Sequence, residues 1–294
     1  MIPFLHIWRL TVPTFGLMVA SAMVAAYFML RAEIRRRGLA ADKAADAEAE
    51  IFIAVPSLAG ILGAKLYHEL QSPADFFAHP FQQLLSPYGF AWFGGLIAGF
   101  AAFVWLARSH KIPLLEMLDA GSPAAALGYG IGRIGCFLSG DGDYGVPTSL
   151  PWGMSFPNGL VPTNQRVHPT PLYELIAACA IAWWLWRLGA RQIAGRKAPS
   201  DSPKKGRAAR GPGSLAVGAK SEAPAHLSNL PTGVIFAAYL LLTGAERFLV
   251  EFIRINPRSF LGMSNAQAAS VLSMVAGAAL WWRLRRPSAK VRAG

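Results

Sequence analysis

Residues 117–139 read MLDAGSPAAALGYGIGRIGCFLS, an apolar run with the length of a helix that crosses a bilayer. Such a helix needs about 20 predominantly apolar residues. The run carries a single basic side chain, Arg133, in its second half. It therefore predicts a membrane-spanning helix with a positive charge within the bilayer.

Six further apolar runs have a similar length. They lie at 7–30, 51–70, 88–107, 171–188, 231–253 and 266–283. Of the 294 residues, 53% are hydrophobic and 15% are charged, whereas soluble domains carry about 25% charged residues. This composition excludes a soluble enzyme, a disordered chain and a disulfide scaffold. We predict an all-α integral membrane protein with seven transmembrane helices, in which residues 1–294 form a single polytopic domain.

The distribution of basic residues predicts the orientation of the chain. Of the 28 Lys and Arg residues, 21 lie in four segments, at 31–43, 108–111, 187–220 and 283–292, which alternate with segments poor in positive charge. The positive-inside rule then places the N-terminus outside and the C-terminus in the cytoplasm. The net charge of +12 therefore reflects topology and attraction to anionic membrane lipids, and we expect no nucleic-acid partner.

Residues 190–228 form a long basic connection. This segment is rich in Ala, Gly, Ser, Pro, Lys and Arg, and it has no apolar periodicity. Ordering it costs conformational entropy that little apolar burial offsets. We predict a disordered cytoplasmic loop.

Charged side chains within the predicted helices indicate where a functional site lies. Seven of them lie in the outer halves of the helices: Lys65, Glu69, Arg133, Glu246, Arg247, Glu251 and Arg254. Charge within a bilayer is costly, so such residues usually face the bundle interior or a wet cavity. Snorkelling toward the interface or pairing at i,i+4, as for Arg247 with Glu251, is the alternative explanation.

Arg133 differs from the other charged residues because no acidic residue lies within two turns before it. The nearest carboxylates follow it, at Asp141 and Asp143. A guanidinium with spare donors in apolar surroundings suits a phosphate, which it can bind through two parallel hydrogen bonds. The sequence therefore predicts that Arg133 binds a phosphate group.

Two segments near the outer surface add candidate site residues. Residues 130–145 read GIGRIGCFLSGDGDYG, and glycine at such density allows the backbone to approach a ligand. Helix packing through small residues explains the first half of this segment but not its GDGDYG end. Further along, His168, Tyr173 and Glu174 lie just before or at the start of the fifth run. His168 is either a proton acceptor or an interfacial histidine with a structural role.

Several motifs occur in a fixed order along the chain. They are Gly132-Arg133-Ile134-Gly135-Cys136-Phe137, His168-Pro169 with Leu172-Tyr173-Glu174, and Arg247-Phe248-Leu249-Val250-Glu251-Phe252-Ile253-Arg254. Weaker matches are Phe15-Gly16-Leu17-Met18, Gly63-Ala64-Lys65-Leu66-Tyr67 and Gly94-Gly95-Leu96-Ile97. Taken together, the set resembles the prolipoprotein diacylglyceryl transferase family over nearly the whole chain except 190–228.

The resemblance implies an enzyme of the bacterial inner membrane with no cofactor. It would move the diacylglyceryl group of phosphatidylglycerol to the thiol of a lipobox cysteine in a preprolipoprotein, with glycerol phosphate as the other product. The implied catalytic residues are Arg247, His168 and Asp141. The implied substrate-binding residues are Arg133, Cys136, Ser139, Gly145, Tyr173, Glu174 and Glu251. We expect no metal site, because the two cysteines, Cys136 and Cys179, both lie in apolar surroundings.

The sequence departs from the family pattern at several positions. Cys136 and Ser139 replace asparagines, Asp141 replaces a glutamate, and Phe93 replaces a histidine that the family is held to use. Phe15 and Thr243 replace tyrosines. Since phenylalanine accepts no proton, either another group such as His168 or Asp141 does so, or the protein binds phospholipid or a lipoprotein precursor without transfer. A small-solute transporter is a weaker alternative, because the ionisable residues cluster near one leaflet rather than at the midplane.

Overall fold

The computed structural model describes residues 1–41, 44–71, 73, 76, 80–86, 91–197, 230–258 and 262–286. Its helices are α1 (Thr14–Arg37), α2 (Ala45–Gln71), α3 (Pro80–Leu85), α4 (Trp92–Ser109), α5 (Leu114–Ser139), α6 (Thr170–Lys197), α7 (Val234–Val250) and α8 (Asn265–Arg285). Its strands are β1 (Phe4–Ile7), β2 (Leu10–Pro13), β3 (Met154–Phe156) and β4 (Thr163–Val167).

The chain is mostly helical, as the hydropathy predicts. Each of the seven long helices overlaps one of the seven apolar runs, and α3 is a single short helix between α2 and α4. By length and composition, α1, α2 and α4 qualify as membrane spans in the described residues. Together with the composition, they identify an integral membrane protein.

Two antiparallel hairpins correct the prediction of a purely helical fold. β1 pairs with β2, from Phe4 opposite Pro13 to Ile7 opposite Leu10, and β3 pairs with β4. The first apolar run was predicted to be helical from residue 7, but α1 begins only at Thr14, after the extended Pro13. The prediction was wrong here because β-branched and aromatic residues before Pro13 favour strands, and hydropathy does not separate an apolar hairpin from a helix.

The structure corrects the start of the predicted loop 190–228. α6 continues to Lys197, so residues 190–197 are helical and the prediction is wrong for them. Gln192 explains the extension, since this fully buried side chain hydrogen bonds with Arg37 and with Asp119. Residues 198–228 lie outside the described residues.

Helix α5 is the central element. It packs against α1 on one side and α6 on the other, and it also contacts α7, while α2 pairs with α4 and α7 pairs with α8. One buried apolar cluster joins α1, α2, α4 and α5, and a second joins α5, α6 and α7. The ends of α5 and α7 and the start of α6 therefore meet at one end of the bundle.

Hydrogen bonds at the opposite end of the bundle determine where α7 begins. Asp119, which is fully buried near the start of α5, accepts hydrogen bonds from the backbone N–H groups of Gly233 (2.8 Å) and Phe236 (2.9 Å). A carboxylate at a helix N-terminus satisfies backbone donors and interacts favourably with the helix dipole. Asp119 was not among the predicted site residues. Its role is to hold the helix that carries Arg247 at the other end.

Helices α2 and α4 approach each other through glycines. A Cβ atom on Gly94 would overlap the carbonyl oxygen of Gly63 and the side chain of Tyr67. We therefore expect Gly94→Val to destabilise the protein by about 1–3 kcal/mol through overpacking. Gly132→Ala is the control, because a Cβ there meets nothing within 4 Å. Detergent-induced unfolding of the purified proteins measures both, and equal stability of the two variants would contradict the packing.

Candidate functional site

Glu174 is the centre of an ionic cluster at the end of the bundle where α5 and α7 terminate. Its side chain is 0% exposed. It accepts hydrogen bonds from the Tyr129 hydroxyl (2.8 Å), Arg247 Nη1 (3.0 Å) and Arg254 Nη1 (3.2 Å). It also forms an ion pair with Arg133 Nε. One buried carboxylate from α6 therefore joins three arginines from α5, α7 and the segment after α7.

Two more carboxylates complete the cluster. Asp143 pairs with both Arg133 and Arg254. Glu251 pairs with Arg247 at 2.9 Å, the i,i+4 contact that the sequence predicts, and accepts a hydrogen bond from Asn256 Nδ2 at 2.6 Å. We call the six ionised residues the arginine cluster: Arg133, Arg247, Arg254, Glu174, Asp143 and Glu251. Its three positive and three negative charges balance, which makes their burial tolerable.

The three arginines differ in how much they can offer a ligand. The Arg254 side chain is 7% exposed and directs both Nη atoms at Asp143 and Glu174. Arg133 and Arg247 are more open, at 12% and 24% exposed. Within the described residues, Arg133 Nη2 and Arg247 Nε have no hydrogen-bond partner. Arg133 and Arg247 therefore have donors left for an anion, while Arg254 holds the cluster together.

The structure shows which donors of Arg133 are spare. Asp143 and Glu174 bind its guanidinium, and its Nη1 also lies 3.4 Å from Cys136 Sγ, which leaves Nη2 without a partner in the described residues. The sequence did not indicate Glu174 as a partner, because this residue comes from another helix. The remaining donor is sufficient for contact with a phosphate oxygen.

The glycine-rich loop after α5 places the carboxylates of Asp141 and Asp143 in different surroundings. Gly140 and Gly142 have φ values of 58° and 94°, a conformation that favours glycine, and they turn the chain so that Asp143 faces the arginines. Burial and the neighbouring charge of Asp143 raise the pKa of Asp141. Burial also acts to raise the pKa of Asp143, but Arg254 and Arg133 outweigh it, so that this pKa is lowered. Asp143 is thus held ionised, and Asp141 is the more basic carboxylate.

Donor atoms of Cys136, Asp141 and Asp143 all lie within 4.8 Å of one another, a spacing that a metal ion could bridge. However, the Arg133 guanidinium already contacts Cys136 and Asp143. A second cation at the same atoms would meet this fixed positive charge. The geometry therefore favours the arginine over a metal ion as the partner of these groups.

His168 and Tyr173 belong to a separate polar group. The Tyr173 hydroxyl lies 3.1 Å from His168 Nδ1 and accepts a hydrogen bond from Trp152 Nε1 at 2.8 Å. Among the described residues, no hydrogen bond or ion pair joins His168 or Tyr173 to the arginine cluster. The structure thus places these two predicted site residues beside the cluster rather than in it.

Ser139 and Gly145 have structural contacts. The buried Ser139 hydroxyl donates to the carbonyl oxygen of Cys136 in its own helix (3.2 Å). Gly145 N–H donates to the carbonyl oxygen of His168 (2.8 Å), and a Cβ on Gly145 would come within 2.5 Å of the carbonyl oxygen of Ile253. Glycine at position 145 therefore lets the loop pass close to the segment that carries Arg254.

Four residues of this region had no predicted site role. Asp143 and Arg254 belong to the cluster, and Tyr129 and Asn256 contact it. A helical wheel points to one of them, since Tyr129 precedes Arg133 by one turn. Arg254 follows Arg247 by two turns, although α7 ends between them at Val250. Asn256 lies in irregular chain, where no periodicity indicates the direction of a side chain.

This architecture defines a class: a helical membrane protein with a buried arginine–carboxylate cluster that offers two guanidinium groups to an anion. Comparison with known proteins narrows the class. The family model described as prolipoprotein diacylglyceryl transferase matches residues 3–204 and 219–283. The chain belongs to this family.

Curated relatives named phosphatidylglycerol–prolipoprotein diacylglyceryl transferase are similar over most of the chain. The protein of Geobacter sulfurreducens is 32% identical, with 88% of this chain and 84% of the relative aligned. The protein of Clostridium tetani is 29% identical, over 92% of this chain and 93% of the relative. The protein of Bordetella avium is also 29% identical, over 97% and 95% respectively. The resemblance that the motifs indicate is thus confirmed.

Proposed function

We propose that this protein transfers the diacylglyceryl group of phosphatidylglycerol to the thiol of the lipobox cysteine in a preprolipoprotein. The pair of accessible arginines, Arg133 and Arg247, carries the proposal. They come from different helices, and Glu174 holds both of them. A phosphodiester is the part of phosphatidylglycerol that two such guanidinium groups bind best.

The reaction requires charge stabilisation at the leaving group. The thiolate sulfur attacks the carbon of the diacylglyceryl group that bears the phosphate, a carbon–sulfur bond forms, and the carbon–oxygen bond breaks. Its electron pair stays on the phosphate oxygen, so glycerol phosphate leaves with added negative charge. Donors on Arg133 and Arg247 that are already oriented by Glu174 and Glu251 stabilise this charge without reorganising at the moment of reaction.

Of the two proton acceptors that the sequence predicts, Asp141 is the one beside the arginine cluster. Its carboxylate lies within 4.8 Å of a carboxylate oxygen of Asp143. His168 is occupied with Tyr173. Cys136, next to Arg133, would line the binding site, whereas Tyr173, Ser139 and Gly145 would support it from outside.

The transfer assay tests the proposal directly. Purified protein is incubated with phosphatidylglycerol and a peptide that carries a lipobox cysteine, and the peptide mass is measured. A mass increase equal to one diacylglyceryl group is expected. A peptide in which the cysteine is replaced by serine is the control. Binding of phosphatidylglycerol without any mass increase would contradict transfer and favour a lipid-binding role.

We also propose that the seven long helices all cross the bacterial inner membrane, with the N-terminus outside and the C-terminus in the cytoplasm. The alternation of basic segments supports this orientation. It places the arginine cluster toward the outer leaflet, where the precursor cysteine emerges after its signal segment. Phosphatidylglycerol, the precursor and the surrounding membrane lipids are then the partners of the protein.

Cysteine labelling tests this topology. Ser149→Cys, in the connection between α5 and α6, is expected to react with an impermeant thiol reagent added to intact cells, because that connection faces outward. Ser109→Cys, at the end of α4, is expected to react only after the cells are opened. Both positions are exposed in the structure, so accessibility within the protein is matched. The unmodified protein gives the background from Cys136 and Cys179, and the opposite labelling pattern would contradict the orientation.

A further inference from the structure

Glu246 is an acidic residue of α7 that neither the motifs nor the cluster contacts explain. It directly precedes Arg247 and is partly buried. Its Oε1 atom is buried and has no hydrogen-bond partner within the described residues. No ion pair involving Glu246 is found in this part of the chain either. The Glu246 carboxylate thus has no hydrogen bond to its buried Oε1 atom and no ion pair within 4.0 Å in the described residues.

Other buried carboxylate oxygens without a hydrogen bond differ from Glu246 in one respect. In the described residues they belong to Glu48, Glu69, Glu116 and Glu251. Each of these four oxygens lies within 4.0 Å of a histidine, lysine or arginine nitrogen. Glu246 is therefore the exception, since its oxygen has no such nitrogen nearby. An unpaired buried carboxylate is costly, and a native protein that keeps one calls for an explanation.

The surroundings of Glu246 place it at the proposed site. Glu246 directly precedes Arg247 on α7. Arg247 pairs with Glu174 of α6 at 3.0 Å and with Glu251 at 2.9 Å. The Glu246 carboxylate is close enough to Arg247 and Glu174 for their charges to act on it. The other carboxylates of this region, Glu174, Glu251 and Asp143, are already bound to arginines. Within the described structure, Glu246 is the carboxylate of this region that no hydrogen bond or ion pair engages.

We propose that Glu246 accepts the proton of the attacking thiol, a role that rests on the proposed transferase function. The S–H bond gives its proton to the Glu246 carboxylate, and the sulfur electron pair forms the carbon–sulfur bond with the diacylglyceryl carbon. The carbon–oxygen bond breaks, and its electrons leave on glycerol phosphate. The proton then passes from Glu246 to water or to the departing phosphate, which restores the carboxylate.

Two observations favour Glu246 over the acceptors that the sequence predicts. Asp141 accepts a hydrogen bond from the N–H of Asp143 (3.2 Å), and His168 contacts the Tyr173 hydroxyl (3.1 Å). Asp141 and His168 are therefore each already engaged in a hydrogen bond. Glu246 has no such contact, and it precedes one of the two phosphate-binding arginines in the chain.

Glu246→Gln tests the role because it keeps the size of the side chain and removes the proton acceptor. Near neutral pH we expect transfer to slow by about 100-fold or more, the usual contribution of a general base. The deficit should narrow above a pH of about 8.5, where the substrate thiol ionises without help. Glu246→Asp should retain part of the activity. Glu50→Gln, an exposed position on α2, is the matched control.

Phosphatidylglycerol binding is measured on the same proteins by the shift of thermal unfolding in detergent. Unchanged binding with slowed transfer in Glu246→Gln supports the role. A Glu246→Gln protein with the transfer rate and pH profile of the parent would overturn it while leaving the transferase function standing. A Glu246→Gln protein that does not fold would also overturn it, because loss of an unpaired carboxylate should not destabilise the fold. No transfer by the parent itself would overturn both proposals.

Discussion

Glu174→Ala is expected to destabilise the protein by about 3–5 kcal/mol, because the substitution leaves three partly buried arginines with two carboxylates instead of three. Glu174 is the residue that Arg133, Arg247 and Arg254 share, and its side chain is inaccessible to solvent. Water cannot replace the lost charge at such a site. Titration with a denaturing detergent measures the change, and transfer activity should fall to background even where folded protein remains.

A charge-balanced pair of substitutions shows whether the effect arises from the ionic contacts. Glu174→Gln and Arg254→Gln should each destabilise the protein, whereas the double variant should lose less stability than the sum of the two, since it removes one charge of each sign. Glu50→Ala, at an exposed position, is the control and should leave stability nearly unchanged. Strict additivity of the two glutamine substitutions would mean that the residues stabilise the fold independently, contrary to the contacts.

Hydropathy was sufficient to locate the long helices but not the elements between them. All seven runs correspond to helices, because a helix satisfies the backbone hydrogen bonds of an apolar run within the run itself. The hairpin of residues 4–13 escaped prediction because it is apolar as well, and apolar content alone does not distinguish strand from helix. The helical residues 190–197 escaped because their order depends on Gln192, whose partners Arg37 and Asp119 lie far away in the sequence.

The site residues that could be predicted are those that carry a charge within the predicted membrane helices. Arg133, Arg247 and Glu251 stand out in the sequence because such residues are expensive unless they have a function or a partner. Glu174 was identified from its place near the membrane surface and from a motif, but nothing in its own helix indicates three arginine partners. The separation of His168 from the cluster could not be predicted either. A position near the membrane surface limits how deep a residue lies in the bilayer. It does not indicate which side chains lie close to one another.

Arg133 provides the sharpest test of substrate binding, because two substitutions separate its charge from its shape. Arg133→Lys keeps the positive charge and loses the planar group that donates to Asp143, Glu174 and a phosphate together. Arg133→Ala loses both. A charge-assisted hydrogen bond contributes about 1.5–3 kcal/mol, so alanine should weaken phosphatidylglycerol binding by about 10- to 100-fold. Lysine should retain part of the affinity.

The Arg133 variants also allow an effect on lipid binding to be distinguished from an effect on folding. Arg133→Ala should destabilise the protein less than Glu174→Ala, because Asp143 and Glu174 both keep Arg254 as a partner. Arg108→Ala, an exposed arginine at the end of α4, controls for the loss of one positive charge and should leave the affinity for phosphatidylglycerol unchanged. The assay compares binding of phosphatidylglycerol with that of a neutral diacylglycerol, which lacks the phosphate. If Arg133→Ala weakened both lipids equally, the arginine would shape the lipid pocket rather than bind the phosphate.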